Sequence, residues 1–205
     1  GEADILVGTQ MIVKGHDFPK VTLVGVLAAD LSMYTSDYLA SERTFQLLTQ
    51  AAGRAGRGDL PGEVVIQTYN PEHMSIVCSK DNDYKAFYKS EIAYRRLLGY
   101  PPVANVLVVL MSSKEEEQVE FSAKLISGAI KEVISQEKIE DLSVLGPVDA
   151  TLKKANDSYR KVVYLKHESY ELLIHMKNYL EGFTQYSEQF RNTNVQFDFN
   201  PMSGY

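Results

Sequence analysis

The sequence predicts an α/β chain in two parts: a partial parallel sheet with its helices over residues 1–98, then a second, α+β domain over residues 99–205. Three observations carry this expectation. The near-continuous apolar runs ILVGT (5–9) and VTLVGVLAAD (21–30) read as parallel strands covered on both faces. The stretch GYPP (99–102) ends a helix, because glycine followed by paired prolines cannot continue one. Beyond it, strand and helix patterns follow one another as β-α-β-β-α-β.

Each element has its own warrant. Between the first two runs lies the turn-rich KGHDFPK. A helix from about Ser41 through Ala52 puts Phe45, Leu48 and Ala52 on one stripe. GEVVIQTYN (62–70) reads as a strand, and Asp83–Leu98 as an amphipathic helix whose tyrosines, Tyr84, Tyr88 and Tyr94, are expected in packing rather than on a base-stacking track. After the break come a strand over 103–112 and a long helix over 114–136. The opening KEEEQ of that helix suits the positive end of its dipole. LSVLGPVDA (142–150), RKVVYLKH (160–167), a helix over 168–185 and VQFDFN (195–200) complete a split β-α-β, or ferredoxin-like, arrangement.

Composition bounds the function. Hydrophobic content of 44% and charged content of 23% are those of an ordinary globular protein. The longest apolar runs are too short to span a bilayer and no basic-then-apolar leader is visible, so a cytoplasmic address without membrane attachment is expected. The opening Gly1-Glu2-Ala3-Asp4 lacks an initiator methionine and reads as an excerpt of a longer chain. One cysteine, Cys78, leaves no internal disulfide and no cysteine-cluster zinc site within this chain, and its apolar setting in HMSIVCSK reads as a buried thiol. His16, His73, His167 and His175 are not spaced as a metal set. A formal charge of −6 confines any nucleic-acid contact to a local patch.

Three stretches carry chemistry. In QAAGRAGRG (50–58), Arg54 and Arg57 stand three residues apart, each preceded by a glycine, Gly53 and Gly56. Arginine forks suit phosphate oxygens, and flanking glycines allow close backbone approach; taken alone, the pattern also fits a solvated helix end. Upstream, VGTQMIVKGHDFPKVTLV offers Thr9 as a phosphate ligand or a strand cap, and Asp17 as a ribose acceptor or a turn former. Over residues 152–166, Lys153, Lys154, Arg160, Lys161 and Lys166 face only Asp157, a local surplus of four, with Tyr159 and Tyr164 interleaved. That pattern fits either contact with unpaired nucleic acid or a solvated hairpin edge.

Taken together, these blocks resemble motifs V and VI of superfamily-2 helicases, with Gln50, Gly53, Arg54, Gly56 and Arg57 matching Q-x-x-G-R-x-G-R. The longer stretch ADLSMYTSDYLASERTFQLLTQAAGRAGRG and the following LGYPP are similar to the bacterial replication-restart helicase family. GPVDATLKKANDSYRK and FDFNPMS are similar to that family's C-terminal domain. The resemblance implies that residues 1–98 are the back part of a RecA-like second helicase lobe, followed by the C-terminal α+β domain. It places Arg54 and Arg57 at the γ-phosphate of ATP held on the other lobe, with Gln50 positioning them. Gly15 and Asp17 would then lie beside the nucleotide and Thr9 on the DNA backbone. Lys153, Lys154, Arg160 and Lys161 become the DNA-facing cations. Glu42-Arg43 belongs to the signature without an assigned contact.

The implied activity is an ATP-dependent 3′-to-5′ DNA helicase that acts on stalled or forked DNA and restarts replication by primosome assembly. Its partners would be forked and single-stranded DNA, single-strand-binding protein and other primosome proteins. ATP and Mg²⁺ would be completed by the first lobe, and Zn²⁺ is implied for the full-length family but not for this chain. The chain departs from the family's pattern in having no G-x-x-x-x-G-K-[ST], no magnesium-holding Asp-Glu pair and no cysteine-rich module, so by itself it is expected to be inactive. The alternative is a non-catalytic DNA- or protein-binding module with the lobe piece as scaffold. A stand-alone small-molecule enzyme finds no catalytic constellation here.

Overall fold

LVGV and EVVI pair in parallel as β1 (Leu23–Val26) and β2 (Glu63–Ile66), with Leu23 opposite Glu63. A parallel pair needs a crossover, and α1 (Ala40–Ala52) lies in it. The computed structural model describes residues 3–9, 20–33, 37–56, 61–202 and 204. The chain divides into two units, Gly1–Thr35 with Leu39–Glu91 and Ser36–Tyr38 with Ile92–Tyr205.

In the first unit, α1 buries Phe45, Leu48 and Ala51, while Ala52, expected on that stripe, is half-buried. Leu48 packs with Ala29 and with Ile76 of α2 (Met74–Lys80), against Val26 and Ile66 from the two strands. No sequence pattern announced α2, seven residues begun by His73, whose Nδ1 accepts from Ser75 N at 3.2 Å. Phe45 stacks on Phe87 of α3 (Tyr84–Leu98) at 4.4 Å, with Cys78 buried beside them. Burial pushes the Cys78 thiol up, so the inert, buried reading of that cysteine stands.

Three expectations need correction in this unit. ILVGT (5–9) is irregular and exposed rather than a strand, because a strand needs a ladder partner and β1 and β2 pair only with each other among the described residues. The run 21–30 ends as a strand at Val26: Ala28 takes a left-handed φ of 49°, and a 3₁₀ turn over Ala29–Ser32 follows. Among the described residues the strands are covered on one face, with Val24, Val26, Val64 and Ile66 half-buried while Leu23 and Val65 are exposed. The α3 tyrosines also differ from expectation. Tyr84, Tyr88 and Tyr94 are exposed, and Phe87 alone of the helix's aromatics is core.

In the second unit, β3 (Asn105–Ser113), α4 (Glu116–Glu137), β4 (Ser143–Ala155), β5 (Ser158–His167), α5 (Tyr170–Gln185) and β6 (Asn194–Phe199) follow the expected order. Their sheet runs β4-β5-β3-β6 with every neighbour antiparallel. Alternate residues of the central strand enter separate cores. Leu107, Val109 and Met111 meet Val119, Ala123, Ile126, Ile130 and Val133 of α4 and Leu173, Met176 and Leu180 of α5. Val106, Val108 and Leu110 join Val162 and Ala150 on the other face. Ser169 starts α5 by accepting from Leu172 N at 3.2 Å. No described helix is long and apolar enough to cross a membrane.

The GYPP break also has a structural cause. Gly99 takes a φ of 62° just after α3, and Tyr100 N donates back to Arg95 O at 2.9 Å, a glycine-ended helix stop. Lys166 then fixes the stop to the sheet. Its Nζ donates to Leu98 O at 3.1 Å and lies 3.6 Å from the Tyr100 ring centre.

Candidate functional site

The arginine turn grows from the end of α1. Gly53 N donates to Thr49 O, then the last turn tightens as Arg54 N donates to Ala51 O at 3.0 Å and Ala55 N to Ala52 O at 3.3 Å. Gly56 takes a φ of 69° and donates to Val21 O at 3.0 Å, two residues before β1. On the other side, a Cβ added at Gly62 would fall 2.2 Å from Gly56 N. These two glycines are therefore required for different reasons, one by its dihedral and one by proximity. The turn thus sits against the lead-in to both strands. Gln50 is exposed on the last turns of α1 and Arg54 is half-buried just beyond it. Thr9 is exposed. Arg57, Gly58, Gly15, Asp17 and His16 lie outside the described residues.

The opposite, C-terminal ends of the two strands are tied by Asp30. It is buried and accepts from Thr68 Oγ1 at 2.7 Å and Tyr69 N at 2.9 Å. The Thr68 hydroxyl, then the Tyr69 amide, hold its carboxyl below the ordinary carboxylate value. The adjoining turn reaches α1 through Ser32 Oγ and Thr44 Oγ1, 2.8 Å apart. Asp30, expected at the end of a strand, lies instead in the 3₁₀ turn. Glu42 of the signature accepts from Gln46 Nε2 at 3.1 Å along the same helix.

The basic stretch is divided by the pleat. Asn156 and Asp157, with φ of 50° and 57°, make a two-residue turn between β4 and β5, as hairpins with right-handed twist favour. Along β5, Val163 and Leu165 point into the helix-side core and Val162 into the other, which sends Lys161 and Arg160 to opposite faces. Lys161 Nζ meets Glu120 Oε1 at 2.7 Å and Asp149 Oδ1 at 2.9 Å. Lys153 Nζ meets Glu116 Oε1 at 2.6 Å and Asp149 Oδ2 at 3.9 Å. Lys154 lies 3.9 Å from Asp157 and 5.0 Å from the centre of the Tyr159 ring. Arg160 has no carboxylate within 4.0 Å among the described residues, and Lys166 is buried against Leu98 and Tyr100.

The expected surplus of four is therefore not a free patch. Counting Glu116, Glu120 and Asp149 with Asp157 leaves five cations against four carboxylates. Those three acids are the residues sequence reading missed, because two of them arrive from α4 by tertiary packing. Tyr159 and Tyr164 are half-buried, each packed at the margin of a core. The electrostatics agree with the pairing. The Lys161 hydrogen bond holds Asp149 below its ordinary value, and Glu116 raises Lys153. Burial pulls Lys161 down, but its bonds to Glu120 and Asp149 carry it above the ordinary value. Burial alone lowers Lys166. The remaining described histidines have local partners: His167 Nδ1 accepts from Ser169 N at 2.9 Å, and His175 Nε2 lies 2.8 Å from Glu137.

Comparison with known proteins places this chain. A family model described as the primosomal protein N C-terminal domain matches residues 96–202, and the chain belongs to that family, PriA. The replication restart protein PriA of Bacillus subtilis is 42% identical over 202 residues, covering 98% of this chain and 24% of that protein. The protein of the same name from Synechocystis is 39% identical over 170 residues, covering 83% of this chain and 20% of its own length. That of Treponema pallidum is 36% identical, covering 89% and 27% respectively. The chain thus spans about a quarter of the length of the curated relatives it matches.

Proposed function

We propose that this chain is the back part of a RecA-like second lobe and the C-terminal domain of an ATP-dependent 3′-to-5′ DNA helicase. The whole protein would act on stalled or forked DNA, restart replication by primosome assembly and work in the cytoplasm with single-strand-binding protein and other primosome proteins. The observation that carries the reading is the likeness to the Bacillus subtilis replication restart protein along 98% of the chain, with Q-x-x-G-R-x-G-R inside it. The glycine-fixed turn after α1 supports the role of its arginines, since a transition-state arginine must be held in place before the phosphate arrives.

In this reading Arg54 and Arg57 stabilise charge on the transferring γ-phosphate and Gln50 positions them. Gly53 and Gly56 give the backbone room, Gly15 and Asp17 border the nucleotide, and Thr9 links the site to the DNA backbone. The chain's residues fit only the arginine side of an ATP site; the phosphate cradle and the Mg²⁺ ligands would come from the first lobe. With one cysteine, this chain does not fit the family's Zn²⁺. The DNA-facing cations are Lys153, Lys154, Arg160 and Lys161, with Arg160 and Lys154 the more available pair. The lack of a phosphate cradle in this sequence favours a second reading for the chain by itself, a DNA- or protein-binding module without catalysis. Arg57→Ala in the full-length protein tests the first reading: DNA-stimulated ATP hydrolysis should fall by ~10³-fold while fork binding persists. Unchanged hydrolysis would overturn it.

A further inference from the structure

We infer that Glu116, Glu120 and Asp149 hold the seats that nucleic-acid phosphates would take at Lys153 and Lys161, and so set how tightly this face binds DNA. The inference rests on the proposed DNA contact of the β4–β5 hairpin. Three carboxylates surround two ammonium groups at 2.6, 2.7, 2.9 and 3.9 Å, so the group carries a net negative charge before any phosphate approaches. Affinity for nucleic acid comes largely from counterions released when free lysines neutralise phosphates. A lysine already neutralised by its own protein releases none unless it changes partner.

The two lysines differ in how readily that exchange happens. Lys153 and Glu116 are about half exposed, so their pair is screened and exchanges cheaply. The Lys161 side chain is only 12% exposed and touches two carboxylates, which locks it in place. Asp149 touches both lysines and makes them one unit. Arg160, on the other face of β5, and Lys154, at the turn, stand outside this group. They supply the contact that remains while the acids stay seated.

Glu116→Gln with Glu120→Gln tests this in the 205-residue chain, with a fluorescently labelled DNA fork titrated between 50 and 200 mM salt. Asp149 remains to neutralise one of the two lysines, so freeing the other should steepen the salt dependence by about one phosphate contact. The variant should gain affinity over the parent chain at 50 mM salt and then lose about threefold more than the parent between 50 and 200 mM. A control with the same charge change at and just beyond the far end of α4, Glu132→Gln with Glu140→Gln, should leave the slope as in the parent. Adding Lys153→Gln and Lys161→Gln to the first variant should abolish the gain, and thermal melting shows whether each variant is folded. An equal gain in the control, or an unchanged slope in a folded Glu116/Glu120 variant of a chain that binds DNA, would overturn the inference and leave the DNA contact standing. Binding by neither the parent nor that variant would overturn the DNA contact itself, and the inference with it.

Discussion

The same kind of sequence, a short apolar run, has three fates in this molecule. In VLVVLM the strand β3 is buried on both faces: α4 and α5 cover one side, and on the other its side chains lie beside Val162 and Ala150 of the same sheet with Tyr100 packed against them. Among the described residues, β1 and β2 are covered on one face, and Leu23 and Val65 are exposed. ILVGT is not in a strand at all. An apolar run therefore states a capacity for burial, and the layers supplied by the rest of the chain decide whether it is used. The second unit closes its own hydrophobic account; the first spends its order on holding a short turn.

The largest expected stability effect sharpens that difference. Ile126→Ala, in the helix-side core of the second unit, should cost about 2–5 kcal/mol in chemical denaturation. Val65→Thr, on the open face of β2, should stay within about 0.5 kcal/mol. Equal costs would erase the contrast between the two regions. Next comes the arginine turn. Gly62→Ala pushes a methyl into the Gly56 backbone and should cost about 1–3 kcal/mol. In the full-length protein it should reduce ATP hydrolysis without touching an arginine. Full hydrolysis in that variant would mean the turn need not be held.

The smallest effect concerns acid. Asp149 is held below its ordinary value of 3.8 by the Lys161 hydrogen bond. A depressed folded pKa contributes stability that is complete above the unfolded value and lost as pH falls through the folded one. Asp149→Asn should therefore flatten the decline in melting temperature below about pH 3.8, with little change of slope above it. A decline as steep as the parent's would remove Asp149 from the acid response.

Most of the second unit was legible because its signals are local and strong. The long helix shows its buried stripe at Val119, Ala123, Ile126, Ile130 and Val133, and GYPP marks the stop that Gly99 makes. What could not be read depends on distant partners. Lys153 and Lys161 look free in sequence, yet Glu116 and Glu120, some forty residues earlier, neutralise them. Lys166 looks like one more DNA cation, yet it is spent on Leu98 and Tyr100. Tyr84, Tyr88 and Tyr94 were expected in packing because the helix pattern is apolar there, but the core takes only Phe87. The arginine motif was plain from its spacing. Its dependence on Gly62 was not, since nothing local ties residue 62 to residue 56.

The division of labour between the two regions is tested most directly by measuring fork affinity and DNA-stimulated ATP hydrolysis on two full-length variants side by side. Arg57→Ala should lose hydrolysis by ~10³-fold and keep its affinity for forked DNA. Lys154→Ala with Arg160→Ala should weaken fork binding and reduce its salt slope by about two, while hydrolysis at saturating DNA is kept. Loss of both properties together in either folded variant, or of neither in both, would contradict the account.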